Sequence, residues 1–365
     1  MIHKENIYLA NRSLEKDRMI YPDIIRIISI FFIIVLHVSV DKWSVLDINS
    51  YDWQILNFYL SISRWSVPMF VMISGMFLLD NEKIYTYKKL FFGNILRISI
   101  ALLFWGFLYN MVYLIFSEKS IKFSFLLDSF KAIISGDAWG HLWFLYMLIG
   151  LYIVTPVLRI FISKASRNDL EYFLLIAFLF GSLLPALFQI NALKILSGSF
   201  SKMDINFVAG FVGCYVSGYY FKKYKINKLS LIIIYMLGFL SLIFTITITS
   251  ILSLSDGAPN AVWLYFTGPN VFITSIAIFL FFKNYVQKIN FSKKAERIIF
   301  LLSRCSFGIY LIHMFFHILI NKIGLTNTLF NPLFSVIVMV IIIYLLSFLA
   351  IFLIKKMPYL NRYIV

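Results

Sequence analysis

The stretch YPDIIRIISIFFIIVLHVSV, residues 21–40, decides the fold. Between Arg26 and His37 it carries no ionisable side chain. As a helix rising 1.5 Å per residue it reaches about 30 Å, the thickness of the hydrocarbon core of a bilayer. Reading outward, stretches of the same character recur along the chain. Taken with the first at 22–40, the expected spans are 60–79, 93–116, 140–160, 170–190, 206–221, 229–251, 263–282, 298–320 and 333–354. The fifth and sixth are interrupted by Gly181, Pro185, Asn206, Gly210 and Gly213, which membrane helices tolerate where neighbouring helices supply packing. Composition agrees: the 365 residues are 61% hydrophobic and 14% charged, too apolar for a water-solvated surface. The expected fold class is an all-α membrane protein, a bundle of about ten transmembrane helices.

The net charge of +16, from 33 Lys+Arg against 17 Asp+Glu, gathers in short segments between the apolar runs. That distribution fits cytoplasmic retention and anionic lipid, and no nucleic-acid motif accompanies it. The basic segments alternate. Lys4 to Arg18, Lys83 to Lys89, Arg159 to Arg167, Lys222 to Lys228, Lys283 to Arg297 and Lys355 to Arg362 are rich in Lys and Arg, and the segments between them are poor. Both termini are therefore expected on the cytoplasmic side, which requires an even number of spans. Residues 1–20 lack the apolar core and cleavage site of a signal peptide and form an expected cytoplasmic segment. One membrane domain over 21–356 and a tail over 357–365 complete the expected organisation. Cys214 and Cys305 have neither metal-ligand nor disulfide spacing.

Ionisable groups inside a membrane helix face protein or water, so Asp23, Arg26 and His37 mark the first span as more than an anchor. Arg26 and His37 are eleven residues apart, on one helical stripe and about 16 Å apart along the axis; Asp23 joins the stripe three residues before Arg26. One face would then link an inner anion site to an outer acid/base group. The same residues also fit an Arg snorkelling to lipid phosphate and a His bonded to a neighbouring helix.

The Tyr21-Pro22-Asp23-Ile24-Ile25-Arg26 stretch, followed by ten residues and His37, resembles the signature of the membrane acyltransferase 3 family. Arg64-Trp65-Ser66-Val67-Pro68-Met69-Phe70 with Ser74-Gly75 resembles that family's second helix. His141 to Tyr146 with Leu151-Tyr152 and Pro156 resembles its fourth, and Ser306 to His313 its late helix. The four matches run in order over nearly the whole chain. The resemblance implies an acyltransferase with no tightly bound cofactor, using acyl-CoA, most often acetyl-CoA, from the cytoplasmic side. His37 is implied as the catalytic residue and Arg26 as a donor-binding one. It also implies acceptors that are often envelope glycans. Where the family has two arginines three residues apart at the start of the third helix, this chain has Asn94 and Arg97. Asn94 offers only neutral hydrogen bonds to a phosphate.

A neutral imidazole at His37 suits the base that takes a hydroxyl proton near neutral pH, and an acyl-His relay is an equally open route. Lys88 and Lys89 are expected helpers at the donor end, and Asp23, His141, Trp143, Tyr310 and His313 are supporting or acceptor-side candidates. His313 and His317, four residues apart with Tyr310 on their stripe, lack an evident completing ligand for a metal and are read as helix packing or acceptor contacts. Ser74-Gly75 reads as close helix packing. Trp143 fits the transfer site or an interfacial aromatic belt equally well. Trp43, Tyr51, Trp53, Asp47, Asp52, Asp128 and Asp137 place aromatics and carboxylates in outer loops, a mixture that suits carbohydrate. The leading reading is a multi-pass O-acetyltransferase of a bacterial plasma membrane, with acyl-CoA, a glycan hydroxyl and lipid as its partners. A secondary transporter or lipid-linked polysaccharide exporter is the alternative from another class.

Overall fold

The computed structural model describes residues 19–82, 86–118, 124–189, 193, 195, 197–203, 210–357, 361 and 364. Most of the segments expected at 1–20 and 357–365 lies outside them. The described residues are helical and contain no strand. The principal helices are α1 (Tyr21–Trp43), α2 (Tyr51–Ser63), α3 (Ser66–Leu78), α4 (Leu96–Glu118), α5 (Ser124–Ser135), α6 (Trp143–Lys164), α7 (Arg167–Phe178), α8 (Phe211–Lys223), α9 (Lys228–Asp256), α10 (Pro269–Asn284), α11 (Lys293–Lys322) and α12 (Pro332–Ile354). Nine helical runs among the described residues are long and apolar enough to cross a bilayer, α2 and α3 counting as one run, Tyr51–Leu78. The chain is an all-α membrane bundle.

The expected sixth span, 206–221, corresponds to α8, whose 13 residues rise only about 20 Å. Its N-terminal side, 204–209, falls outside the described residues, and Gly210 enters the helix at φ +66°, a backbone open to glycine at little cost. The second span also differs from expectation. Ser50 caps a helix that already begins at Tyr51, its hydroxyl accepting from the Trp53 amide at 3.1 Å, so most of the expected outer loop 41–58 is helical. Trp43 and Trp53 are consequently buried and stacked on each other, with Trp53 Nε1 donating to the Trp43 carbonyl. They are core residues and present no surface to a carbohydrate.

The helix ends sort into two sets, and polar contacts tie each set together. At one end Ser303 Oγ donates to Asp23, Lys222 pairs with Asp80 at 2.5 Å, and Arg159 donates to the Leu78 and Asp80 carbonyls. Lys283 reaches the Phe221, Lys222 and Tyr224 carbonyls there, and Lys355 reaches that of Arg304. At the other end Asn327 donates to the Val38 carbonyl, Asn321 to Asp41, and Tyr59 to the Leu333 carbonyl. The described basic segments thus share one end of the bundle, the arrangement their alternation along the sequence requires.

Helix α1 runs through the middle, against α2, α3, α10, α11 and α12, whereas α9 turns Leu229, Ile233, Met236, Phe239 and Leu240 outward at the rim. Buried hydroxyls return to their own helices, as in Ser39 to the Val35 carbonyl and Ser63 to that of Tyr59, so no polar atom at these positions needs water.

Helices α3 and α8 meet backbone to backbone. A Cβ on Gly75 would lie 1.8 Å from the Tyr215 carbonyl oxygen, and one on Gly218 would lie 1.8 Å from that of Met72. Small residues permit this approach, and no side-chain rotation relieves a clash with backbone. Gly75→Ala and Gly218→Ala are each expected to destabilise the protein by at least about 1–3 kcal/mol, the usual penalty of overpacking. Thermal unfolding in detergent checks this, with Gly150→Ala, whose Cβ meets nothing within 4 Å, as the neutral control.

Candidate active site

At the basic end, Asp23 is 5% exposed and accepts from Ser303 Oγ at 2.6 Å and Arg26 Nη1 at 3.2 Å. It ties α1 to α11 and holds the Arg26 guanidinium, which lies over the Phe77 ring at 5.2 Å. Arg97 of α4 lies over Phe307 of α11 at 5.6 Å. Both arginines come within electrostatic reach of the buried Tyr152 hydroxyl on α6, beside Ser74. Ser74 Oγ in turn donates to the Phe70 carbonyl. The first and third crossings therefore each bring one guanidinium within electrostatic range of Tyr152. Asn94 sits just before Arg97 in a π-helical stretch, Leu90–Ile95, which widens the helix there; such stretches are frequent at functional sites.

Eleven residues farther along α1, His37 meets two other imidazoles. Its ring centroid lies 5.2 Å from His313 and 6.2 Å from His141, and those two are 5.1 Å apart. His141, in the turn before α6, and His313, on α11, are 2% and 0% exposed. The Tyr310 hydroxyl donates to the His141 carbonyl and fixes that turn. The Tyr310 carbonyl lies 2.7 Å from His313 Nδ1 and can only accept, so a neutral His313 carries its proton on Nδ1 and turns a lone pair outward at Nε2. His313 Nε2 and both nitrogens of His141 are buried without a hydrogen-bond partner among the described residues. Buried polar atoms are rarely left so, and three of them gather in this cluster.

The cluster opens on a cavity of about 220 Å³ lined by Ile33, Leu36, His37, Val40, Arg64, Val67, His141, Trp143, Phe144, Phe266 and Tyr310. Trp143 belongs to this wall, stacked on Phe266 at 5.6 Å and 25°. Arg26 and Arg97 do not line the cavity. His317 lies one turn beyond His313, its Nε2 3.8 Å from the Asp41 carboxylate, which also accepts from Asn321. The His141 ring stands at 79° to His37 and to His313, and among the described residues no group of three or more His, Cys, Asp or Glu is placed to hold a metal ion.

With this geometry in view, the comparison with known families becomes specific. The sequence model of the acyltransferase 3 family, an acyltransferase domain, matches residues 19–355. The chain belongs to this family. It is a multi-pass membrane acyltransferase. No curated protein and no solved structure matches it.

Three parts of this acyltransferase's candidate site and its surroundings were hidden in its sequence. Arg64 reads as a residue near the outer edge of a span starting at 60, but the helical run begins at Tyr51, which puts Arg64 midway along it, facing the cavity. The cap residue Ser50 was the available signal. Phe266 and Asp41 had none, because a lone aromatic in a loop and a carboxylate at a helix end are ordinary at membrane surfaces.

Proposed function

We propose that this acyltransferase moves an acetyl group from acetyl-CoA, bound at the basic and cytoplasmic end, to a hydroxyl of an extracytoplasmic glycan at the other end, in a bacterial plasma membrane. The observation that carries the reading is the position of His37. It shares α1 with Arg26, about 16 Å away along the axis, and lines a cavity together with the buried His141, with the buried His313 ring packed beside both. Arg26 and Arg97 would grip the phosphates of CoA by charge-assisted hydrogen bonds, leaving the extended pantetheine arm to carry the thioester toward His37.

In direct transfer, His37 takes the hydroxyl proton as the hydroxyl oxygen attacks the thioester carbonyl carbon. The C–S bond breaks, and the CoA sulfur leaves with a proton returned by the imidazolium. In the relay, a His37 nitrogen makes the first attack, CoA departs as the thiol, and the acyl-imidazole then passes its acyl group to the hydroxyl. Both routes need His37 and both end in an oxygen ester.

The test uses purified protein in liposomes with radiolabelled acetyl-CoA and envelope glycan. Label is expected in glycan and should be released as acetate by mild alkali, as esters are and amides are not. Glycan accumulation across the membrane without CoA release would instead indicate transport.

Asn94 gives the donor end a separate prediction. Restoring a second guanidinium there with Asn94→Arg is expected to lower the KM for acetyl-CoA by about tenfold, the lower end of the worth of one charge-assisted hydrogen bond, with kcat little changed. Steady-state kinetics with varied acetyl-CoA checks it.

A further inference from the structure

Arg64 differs from the other cations placed within the bundle. Arg26 is paired with Asp23, Lys222 with Asp80, and Lys283 is wrapped by three backbone carbonyls, all at the basic end. Arg64 lies midway along the helical run Tyr51–Leu78, where α2 gives way to α3. Its side chain makes no ion pair or hydrogen bond among the described residues, and its Nε is fully buried without a partner. No carboxylate lines the cavity it faces. One face of the guanidinium rests over the Phe266 ring at 5.1 Å, which leaves the N–H edges unused.

A guanidinium at membrane depth without a counter-charge is costly, and proteins keep such groups where a ligand supplies the missing charge. The planar fork of donors matches a carboxylate or a phosphate two bonds at a time, better than it matches a neutral hydroxyl. Beside it the stacked Trp143–Phe266 pair gives the cavity an apolar wall. The same cavity holds His37.

Building on the acyl-transfer reading above, we propose that Arg64 is an anion subsite for the acceptor. The substrate class is then an anionic glycan or polyol, with a carboxylate or phosphate held by Arg64 while a neighbouring hydroxyl of the same molecule meets His37. The anions of the acyl donor are a different set, met by Arg26 and Arg97.

Titration calorimetry on the purified full-length protein tests this with two matched pairs of probes: methyl glucuronide against methyl glucoside, and glycerol 3-phosphate against glycerol. Wild type is expected to bind the charged member of at least one pair ten or more times more tightly than its neutral twin. The pair that shows the preference distinguishes carboxylate from phosphate. Arg64→Gln is expected to bring that ratio close to one, Arg64→Lys to keep part of it, and both to bind acetyl-CoA as wild type does. Because the charge has no ion pair or hydrogen bond among the described residues and its contact is with the Phe266 ring, Arg64→Gln is also expected to melt close to wild type.

A wild-type ratio near one for both pairs, or a ratio unchanged in Arg64→Gln, overturns the proposal. So does a matching loss of acetyl-CoA affinity, which would assign Arg64 to the donor, or a clear fall in melting temperature, which would make it structural. CoA release in the same preparations is followed separately. Its dependence on His37 reports on acyl transfer, whereas the affinity ratio reports on Arg64.

Discussion

His37→Ala is expected to lower kcat for acetyl transfer by about 10²–10⁴-fold, the usual contribution of a positioned acid/base group, while leaving the KM for acetyl-CoA within a few-fold of wild type. The separation follows from position: His37 lines the cavity and lies about 16 Å along α1 from Arg26, so its loss removes no contact near the proposed phosphate site. The fold should tolerate the change. His37 is half-buried at the cavity wall and makes ring contacts with His313 and His141, and a smaller side chain there enlarges an existing space. Stopped assays with varied acetyl-CoA, beside melting curves of the same preparations, separate kcat from KM and from stability. A rise in KM with unchanged kcat would move His37 from chemistry to binding.

The second large effect is expected from the arginines. Arg26→Ala and Arg97→Ala should each raise the KM for acetyl-CoA by about 10–100-fold, since hydrogen bonds to charged groups contribute about 1.5–3 kcal/mol. The two guanidiniums approach the same tyrosine, Tyr152, and would share one ligand, so the double variant should fall short of the product of the single effects. Arg26→Ala also removes one cation from Asp23, and part of its effect would be the cost to that buried carboxylate. Arg26→Ala combined with Asp23→Asn separates the two: recovered stability with KM still high assigns Arg26 to the donor. Acetyl-CoA titration against each variant checks the affinities directly.

The helix class, the order of most spans and the shared stripe of Asp23, Arg26 and His37 were all legible in the sequence, because they are local. Apolar length and a period of 3.6 residues are enough to find them. The alternation of basic segments also anticipated which helix ends meet, since Lys222, Lys283 and Lys355 all find their partners at one end of the bundle. Features set by tertiary contact were not legible. Nothing in residues 141 or 313 alone says that their rings come within about 6 Å of His37. The polar stretch before Leu56 concealed a helix start at Tyr51, and with it the central depth of Arg64. Trp43 and Trp53 were misread for the same reason: in a loop they would face solvent, but on consecutive capped helices they pack on each other. The π-helical stretch at Leu90–Ile95 leaves no local signature that separates it from an ordinary helix.

The most direct test of the account is sided CoA release from sealed proteoliposomes. Helix α12 ends at the basic end, where Lys355 bonds the Arg304 carbonyl, so a C-terminal tag is expected to report which way each vesicle population faces. With acetyl-CoA on the tag side only and glycan on the other, wild type is predicted to release CoA thiol and to place acetyl ester on the glycan. Neither should occur with acetyl-CoA on the opposite side only, or with His37→Ala. Equal CoA release by wild type and His37→Ala, or release with acetyl-CoA on the opposite side only, would contradict the account.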